Sequence, residues 1–193
     1  MRRVVVATRN PHKLRELSQL LAGFELAALG GEHQLPEETG ESLSENSLIK
    51  ARSARLATGL AAIADDSGIA VAALDGRPGV RSARFAGETA SDHDNLELLL
   101  RSLDGVADRR AAYVCVIAHV DEQGRESTFE GRCEGAVIAE PRGEGGFGYD
   151  PAFVPDDTGA SDQRTMAELS GEEKHAISHR GRAARALVAA LER

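Results

Sequence analysis

The stretch VVVATRNPHKLREL, Val4 to Leu17, decides the architecture. Val4 to Ala7 is an apolar run rich in β-branched residues and reads as a buried strand. Asn10 then stands where a helix needs an N-cap, and Pro11 occupies the first helical position, where a missing N–H costs nothing. Leu14, Leu17, Leu20 and Leu21 follow at helical spacing and form the buried stripe. Strand, short turn and amphipathic helix in that order open an α/β fold.

Working outward, a polar loop containing Glu37-Glu38-Thr39-Gly40 leads to a helix expected from about Leu43 to Thr58, stopped by Gly59. Strands are expected over Ala62 to Asp65 and Ile69 to Leu74, with turns at Asp75-Gly76 and Pro78-Gly79. Ser91 to Leu103 reads as a helix with Leu96, Leu99, Leu100 and Leu103 on one face. Arg110 to Val120 and Ser127 to Ile138 are β-rich runs joined around Asp121-Glu122-Gln123-Gly124, which predicts an antiparallel hairpin and hence a mixed sheet. After a glycine-rich loop, Gly143 to Gly148, one or two helices close the chain, with Ala184, Leu187, Val188 and Leu191 as the apolar stripe. Thr165 with Glu168 and Ser170 with Glu173 each match a capping box.

The 193 residues carry no low-complexity linker or internal repeat and are read as one domain. Charged residues make up 28% and apolar residues 41%, the balance of a soluble protein, and no apolar run approaches bilayer length. Met1-Arg2-Arg3 followed at once by a strand-like run does not resemble a secretory signal, so a cytoplasmic protein is expected. A formal net charge of −8 argues against sequence-independent nucleic-acid binding, which needs a basic face. Cys115 and Cys133 lack the paired spacing of a zinc site or disulfide framework and are expected to be reduced core thiols.

Several segments can carry chemistry. Thr8-Arg9-Asn10-Pro11-His12-Lys13 ends a strand at a helix start and offers backbone N–H groups, a hydroxyl and a lysine, which suit a phosphate. It lacks the glycines of a P-loop, and an ordinary capped corner is the alternative. Asp65 and Asp66 are adjacent after a strand, where successive side chains point to opposite faces, so only one should enter a given cleft. A carboxylate there can hold Mg2+ and accept a proton from water, with Ser67 and Gly68 as nearby donors; a polar strand-end turn is the alternative. Asn46 and Lys50 share a helix face beside Glu41 and Glu45, a pattern that a plain solvated face would also produce.

Gly143 to Gly148 satisfies GxGxxG, but Pro141 precedes it and Tyr149-Asp150-Pro151 follows, so no helix opens as a dinucleotide site requires. Its glycines are better suited to presenting Phe147 to a base, or else to tucking it into the core. Lys174-His175-Ala176-Ile177-Ser178-His179-Arg180 collects donors, and donors select keto oxygens over the amino group of adenine. A basic final helix is the alternative there. Asp92-His93-Asp94 is expected to cap a helix, and Cys115 with His119 lacks further ligands for zinc.

Taken together, VVVATRNPHKLREL, EETG, ENSLIKA, ADDSGIAVAALDGRPGVRSARFAG, GGFGYDPAF and TMAELSGEEKHAISHRGRA resemble, in order and across the chain, the inosine triphosphate pyrophosphatase family. The resemblance implies an elongated mixed sheet flanked by helices, with two lobes and a central cleft, and a homodimer. It implies hydrolysis of ITP, dITP and XTP to the monophosphate and pyrophosphate with Mg2+. Carried over by position, Thr8, Asn10 and Lys13 bind the triphosphate, Glu38 and Asp66 hold Mg2+, Asp66 accepts the proton and Lys50 stabilises phosphate charge. Ser67 contacts substrate, Phe147, Gly148, Tyr149 and Asp150 form the base and sugar platform, and Lys174, His179 and Arg180 read the keto edge. Arg9, Arg81 and His175 depart from the family's common residues. A nucleotide-binding module without hydrolysis, or a pyrophosphatase for other modified nucleotides, would share many of these features.

Overall fold

The computed structural model describes residues 3–31 and 33–192. Met1 and Arg2, read above as preceding the first strand, lie outside them. Strand β1 (Arg3–Val6) runs into helix α1 (Pro11–Leu20), and the Asn10 side chain accepts from the backbone N–H groups of His12 and Lys13 at 2.9 and 3.3 Å, as an N-cap should. Strand β2 (Glu25–Ala28) follows, in a region where the sequence predicts only a polar loop. It is a short edge strand without a fully buried residue, so it carries no apolar alternation to betray it. Helix α2 (Leu43–Thr58) starts on a complete capping box, Ser42 with Glu45, and ends on Gly59 in the left-handed region at φ 71°.

Strand β3 (Ala62–Val71) corrects the expectation of two strands separated by a polar turn. Asp65 and Asp66 find buried partners, so the strand continues through them. Gly68 is required by a close approach: a Cβ there would lie 2.1 Å from the Gly79 carbonyl oxygen. Ala72–Leu74, expected to extend the strand, forms a 3-10 turn instead. Helix α3 (Asp92–Ser102) begins on a capping box between Ser91 and Asp94, which accounts for the Asp92-His93-Asp94 cluster. Strands β4 (Arg110–Val120) and β5 (Glu126–Val137) are joined by the tight turn Asp121–Arg125, so they are antiparallel. The short strand β6 (Phe153–Pro155) was not anticipated; the chain closes with α4 (Gly171–Ile177) and α5 (His179–Leu191). Ser170 and Glu173 form the expected box at α4. Thr165 and Glu168 do not cap a helix, because the Thr165 hydroxyl donates to the Arg142 carbonyl and the segment is a turn.

The six-stranded sheet has the order β2-β1-β3-β4-β5-β6, parallel at β2-β1-β3 and antiparallel at β5-β6, and is therefore mixed. The chain groups into two compact units: Met1–Asp66, Cys115–Gly131 and Arg180–Arg193 in the first, Ser67–Val114 and Arg132–His179 in the second. In the first, alternation along β1 sends Val4 and Val6 to a cluster with Leu17 of α1 and Leu187 of α5, and Val5 to a cluster with Ala51 and Ala54 of α2. Both faces of that parallel segment are thus covered by helices. The second unit is built on Ile69, Val71, Leu99, Tyr113, Val137, Phe153 and Met166. Cys115 and Cys133 are both fully buried, the core position expected of them. No helix among the described residues is long and apolar enough to cross a membrane.

Gly135 of β5 faces Pro155 of β6, and a Cβ on it would lie 2.2 Å from the Val154 carbonyl oxygen. Gly135→Ala is expected to lower the urea-unfolding free energy by about 1–3 kcal/mol through this overlap. An unchanged unfolding midpoint would contradict so close a β5–β6 contact.

Candidate functional site

In the first unit, α2 turns a polar face inward. Asn46 is fully buried and Lys50 is 6% exposed, which removes the solvated-face alternative for this helix. Lys50 Nζ lies 2.6 Å from Glu38 Oε1 and 3.6 Å from Asp66 Oδ1. One helical turn earlier, Asn46 donates to Asp66 Oδ2 at 3.2 Å and accepts from the Gly40 N–H at 2.8 Å. A loop, a helix and a strand distant in sequence therefore bring Glu38, Lys50 and Asp66 together.

Burial pushes the Asp66 carboxyl above the ordinary aspartate value, and this outweighs the opposing pull of Lys50 and Lys13. Burial also works against the charge on Lys50, but Asp66, Asp65 and Glu38 outweigh it and raise the ammonium above its usual value. The result is a firmly charged lysine beside a carboxylate that takes a proton more readily than a solvated one.

Asp65 points the other way, as the alternation along a strand requires. Its Oδ2 receives Arg180 Nε at 3.0 Å and Nη2 at 2.9 Å, with Lys13 Nζ at 3.3 Å, while Oδ1 is buried without a hydrogen-bond partner. Although burial disfavours its charge, Lys13, Arg180 and Lys50 hold this carboxyl well below the usual carboxylate range. Cys115 Sγ lies 3.9 Å from the same oxygen, and burial pushes that thiol up to about 12, so it is no nucleophile. Arg180 also donates from Nη1 to Glu16 at 2.6 Å. The sequence reading aims Arg180 at a base, whereas here its guanidinium is directed at Asp65 and Glu16; a carboxylate partner outcompetes a neutral one for a buried arginine.

Thr8 and Asn10 stand at the α1 start, where Thr8 Oγ1 accepts from the Asn10 N–H at 3.2 Å. Because the Asn10 amide oxygen caps α1, its NH2 is the part left to offer a ligand.

In the second unit, Asp150 is 3% exposed and its Oδ2 accepts from Lys174 Nζ at 2.8 Å and from the Phe147 N–H at 2.9 Å. Lys174 Nζ sits 5.1 Å from the Phe147 ring centroid, within cation–π range. One carboxylate thus fixes both the glycine loop and the lysine. The Gly148 N–H donates to Asp92 at 2.9 Å, a second anchor for the loop that the sequence reading assigned only to capping. Tyr149 is buried, with its hydroxyl donating to the Ser82 carbonyl at 2.7 Å, so it supports the platform from within the core rather than presenting its ring. His179 stacks on Tyr113 with ring centroids 4.6 Å apart and planes 7° from parallel. Ser67 is half-buried on β3 directly after Asp66.

No group of three or more His, Cys, Asp or Glu side chains able to hold a metal occurs among the described residues. The pair Glu38 and Asp66, sharing one ammonium, supplies hard oxygen donors of the kind Mg2+ takes when substrate phosphates complete its coordination. The donor set fits that ion, and it does not fit a structural zinc.

The model of the Ham1 family matches residues 4–190. The dITP/XTP pyrophosphatase of Deinococcus deserti is 50% identical over 98% of this chain and 89% of its own length, and that of Yersinia pestis is 46% identical over 99% and 98%. The solved structure of the Staphylococcus aureus Ham1 protein superposes with a TM-score of 0.87 at 38% identity, covering 99% of this chain and 98% of that one. The chain belongs to the Ham1 family.

Arg180→Met leaves the buried Asp65 carboxylate short of its main guanidinium partner. The expected loss is about 3–5 kcal/mol of unfolding free energy in urea, the usual cost of breaking a buried pair from one side. A loss under about 1 kcal/mol, the size of an exposed pair, would contradict the geometry described.

Proposed function

We propose that this protein hydrolyses deaminated purine nucleoside triphosphates, ITP, dITP and XTP, to the monophosphate and pyrophosphate in a Mg2+-dependent reaction. The observation that carries the reading is the convergence of Glu38 and Asp66 on the buried Lys50. The relatives named dITP/XTP pyrophosphatases support the same activity.

Water attacks the α-phosphorus, the bond to the bridging oxygen of the β-phosphate breaks, and Asp66 takes the proton from water. Glu38 and Asp66 would hold Mg2+, which when bound neutralises phosphate oxygens. Lys50 and Lys13 stabilise the charge that develops on the departing pyrophosphate, and Thr8, Asn10 and the N–H groups of the α1 start bind the phosphate chain. Ser67 contacts the substrate.

The base stacks on Phe147, with Gly148, Tyr149 and Asp150 shaping the platform. Lys174, held at this ring, donates to the 6-keto oxygen, and His179 is assigned to the same keto edge; Arg180, whose Nε and Nη2 face Asp65 and whose Nη1 faces Glu16, in this reading holds Asp65 ionised instead. Adenine would set an amino group against these donors and leave a donor without its acceptor. The working form is a homodimer in the cytoplasm that takes free nucleotides rather than nucleic acid or membrane, in keeping with the net charge of −8.

Pyrophosphate release measured over ITP, dITP, XTP, GTP, ATP and dUTP tests the substrate class. The deaminated purines should exceed ATP by at least ~100-fold in kcat/KM, and EDTA should abolish turnover. ATP turned over as fast as ITP would refute the keto readout; GTP at parity would refute restriction to deaminated purines.

Asp66→Asn should reduce kcat for ITP by more than ~100-fold while nucleotide binding, followed by equilibrium dialysis, persists. Retention of about a tenth of the rate would remove Asp66 from the proton-transfer role.

A further inference from the structure

Asn46 makes two hydrogen bonds of opposite polarity. Its Oδ1 accepts from the Gly40 N–H at 2.8 Å and its Nδ2 donates to Asp66 Oδ2 at 3.2 Å. The first bond fixes the orientation of the second: a backbone N–H can only donate, so the amide oxygen must face Gly40 and the NH2 must face Asp66. Asn46 is fully buried, which keeps water from substituting for either partner. Aspartate would set an oxygen against Asp66, and leucine would strand the Gly40 N–H; among side chains of this size, asparagine alone matches both ends.

The loop is seated on α2 by neighbouring contacts as well. Glu45 Oε2 accepts from the N–H groups of Glu41 and Ser42 at 2.7 and 3.2 Å. Gly40 itself is pressed onto the helix, for a Cβ there would lie 2.6 Å from Glu45 Cβ and 2.7 Å from Asn46 Oδ1. No positive φ is involved at Gly40, so the requirement for glycine is one of space. Glu38 lies just upstream of this seat, and both it and Asp66 reach the same Lys50 ammonium.

We propose that Asn46 is a positioning residue that locks the Glu38-bearing loop to Asp66 and so presets the separation of the two carboxylates before cation or nucleotide arrives. This rests on the reading of Glu38 and Asp66 as the Mg2+ ligands. Without the clip, the segment bearing Glu38 keeps its Glu45 contacts at Glu41 and Ser42 but loses its link to Asp66, and binding the cation must then offset the cost of ordering it. Asn46 acts through the partners it orients, Asp66 and Gly40.

Two variants at separate chain positions test it. Asn46→Ala removes both bonds, and Gly40→Ala pushes the loop off the same amide while leaving Asn46 in place. The readout is Mn2+ affinity by electron paramagnetic resonance in the presence of the α,β-imido analogue of ITP, with kcat and KM for ITP measured in saturating metal. Both variants should weaken Mn2+ binding by ~10–100-fold and lower kcat over a similar range, with KM for the nucleotide little changed. Ala54→Gly, on the same helix but away from the clip, lowers the melting temperature and should keep wild-type Mn2+ affinity. Variants at 46 and 40 that hold Mn2+ within about threefold of wild type, or an equal Mn2+ loss in Ala54→Gly, would overturn the proposal. Wild-type protein that binds Mn2+ through this pair yet releases no pyrophosphate from ITP would overturn the proposed activity and leave the clip standing.

Discussion

A lysine ammonium buried between two carboxylates organises the first unit of this protein. Lys50 cannot leave water without compensation, and neither can Asp66, so each depends on the other and on Glu38. That dependence ties a loop, a helix and a strand into one arrangement, and the positions of Asn46, Gly40 and the α2 cap follow from it. Charges placed this way are poor contributors to stability and good preparations for binding something more highly charged.

The adjacent aspartates show how one strand separates two tasks. Asp66 lies where burial outweighs its cationic neighbours and lifts its proton affinity; Asp65, one residue earlier, lies where cations outweigh burial and keep it ionised. Opposite faces of a single strand thus hold a carboxylate able to take a proton and one that serves as a permanent counter-ion to Arg180 and Lys13.

Much of this was readable from local chemistry. Asn10 with Pro11, Ser170 with Glu173, and Gly59 each have physical roles that depend only on near neighbours, and the structure places each as expected. The hairpin of β4 and β5 and the opposed faces of Asp65 and Asp66 were legible for the same reason. Elements decided by distant partners were not. β2 and β6 are short, and their identity comes from the strands they pair with. β3 looked broken at Asp65-Asp66-Ser67-Gly68 because the side chains that satisfy its aspartates come from elsewhere in the chain. Arg180 illustrates the same limit, since its pairing with Asp65 spans 115 residues and no spacing rule reports it. Asn46 was visible as the neighbour of Lys50 on a helix face, but its link to Gly40 requires knowing that the loop folds back.

The most direct measurement is a crystal structure with Mn2+ and the α,β-imido analogue of ITP, locating the ion by its anomalous scattering. The account predicts one principal peak within coordination distance, ~2.0–2.3 Å, of carboxylate oxygens from both Glu38 and Asp66, with Lys50 on the phosphate chain. A metal bound elsewhere, or held by neither carboxylate, would contradict it.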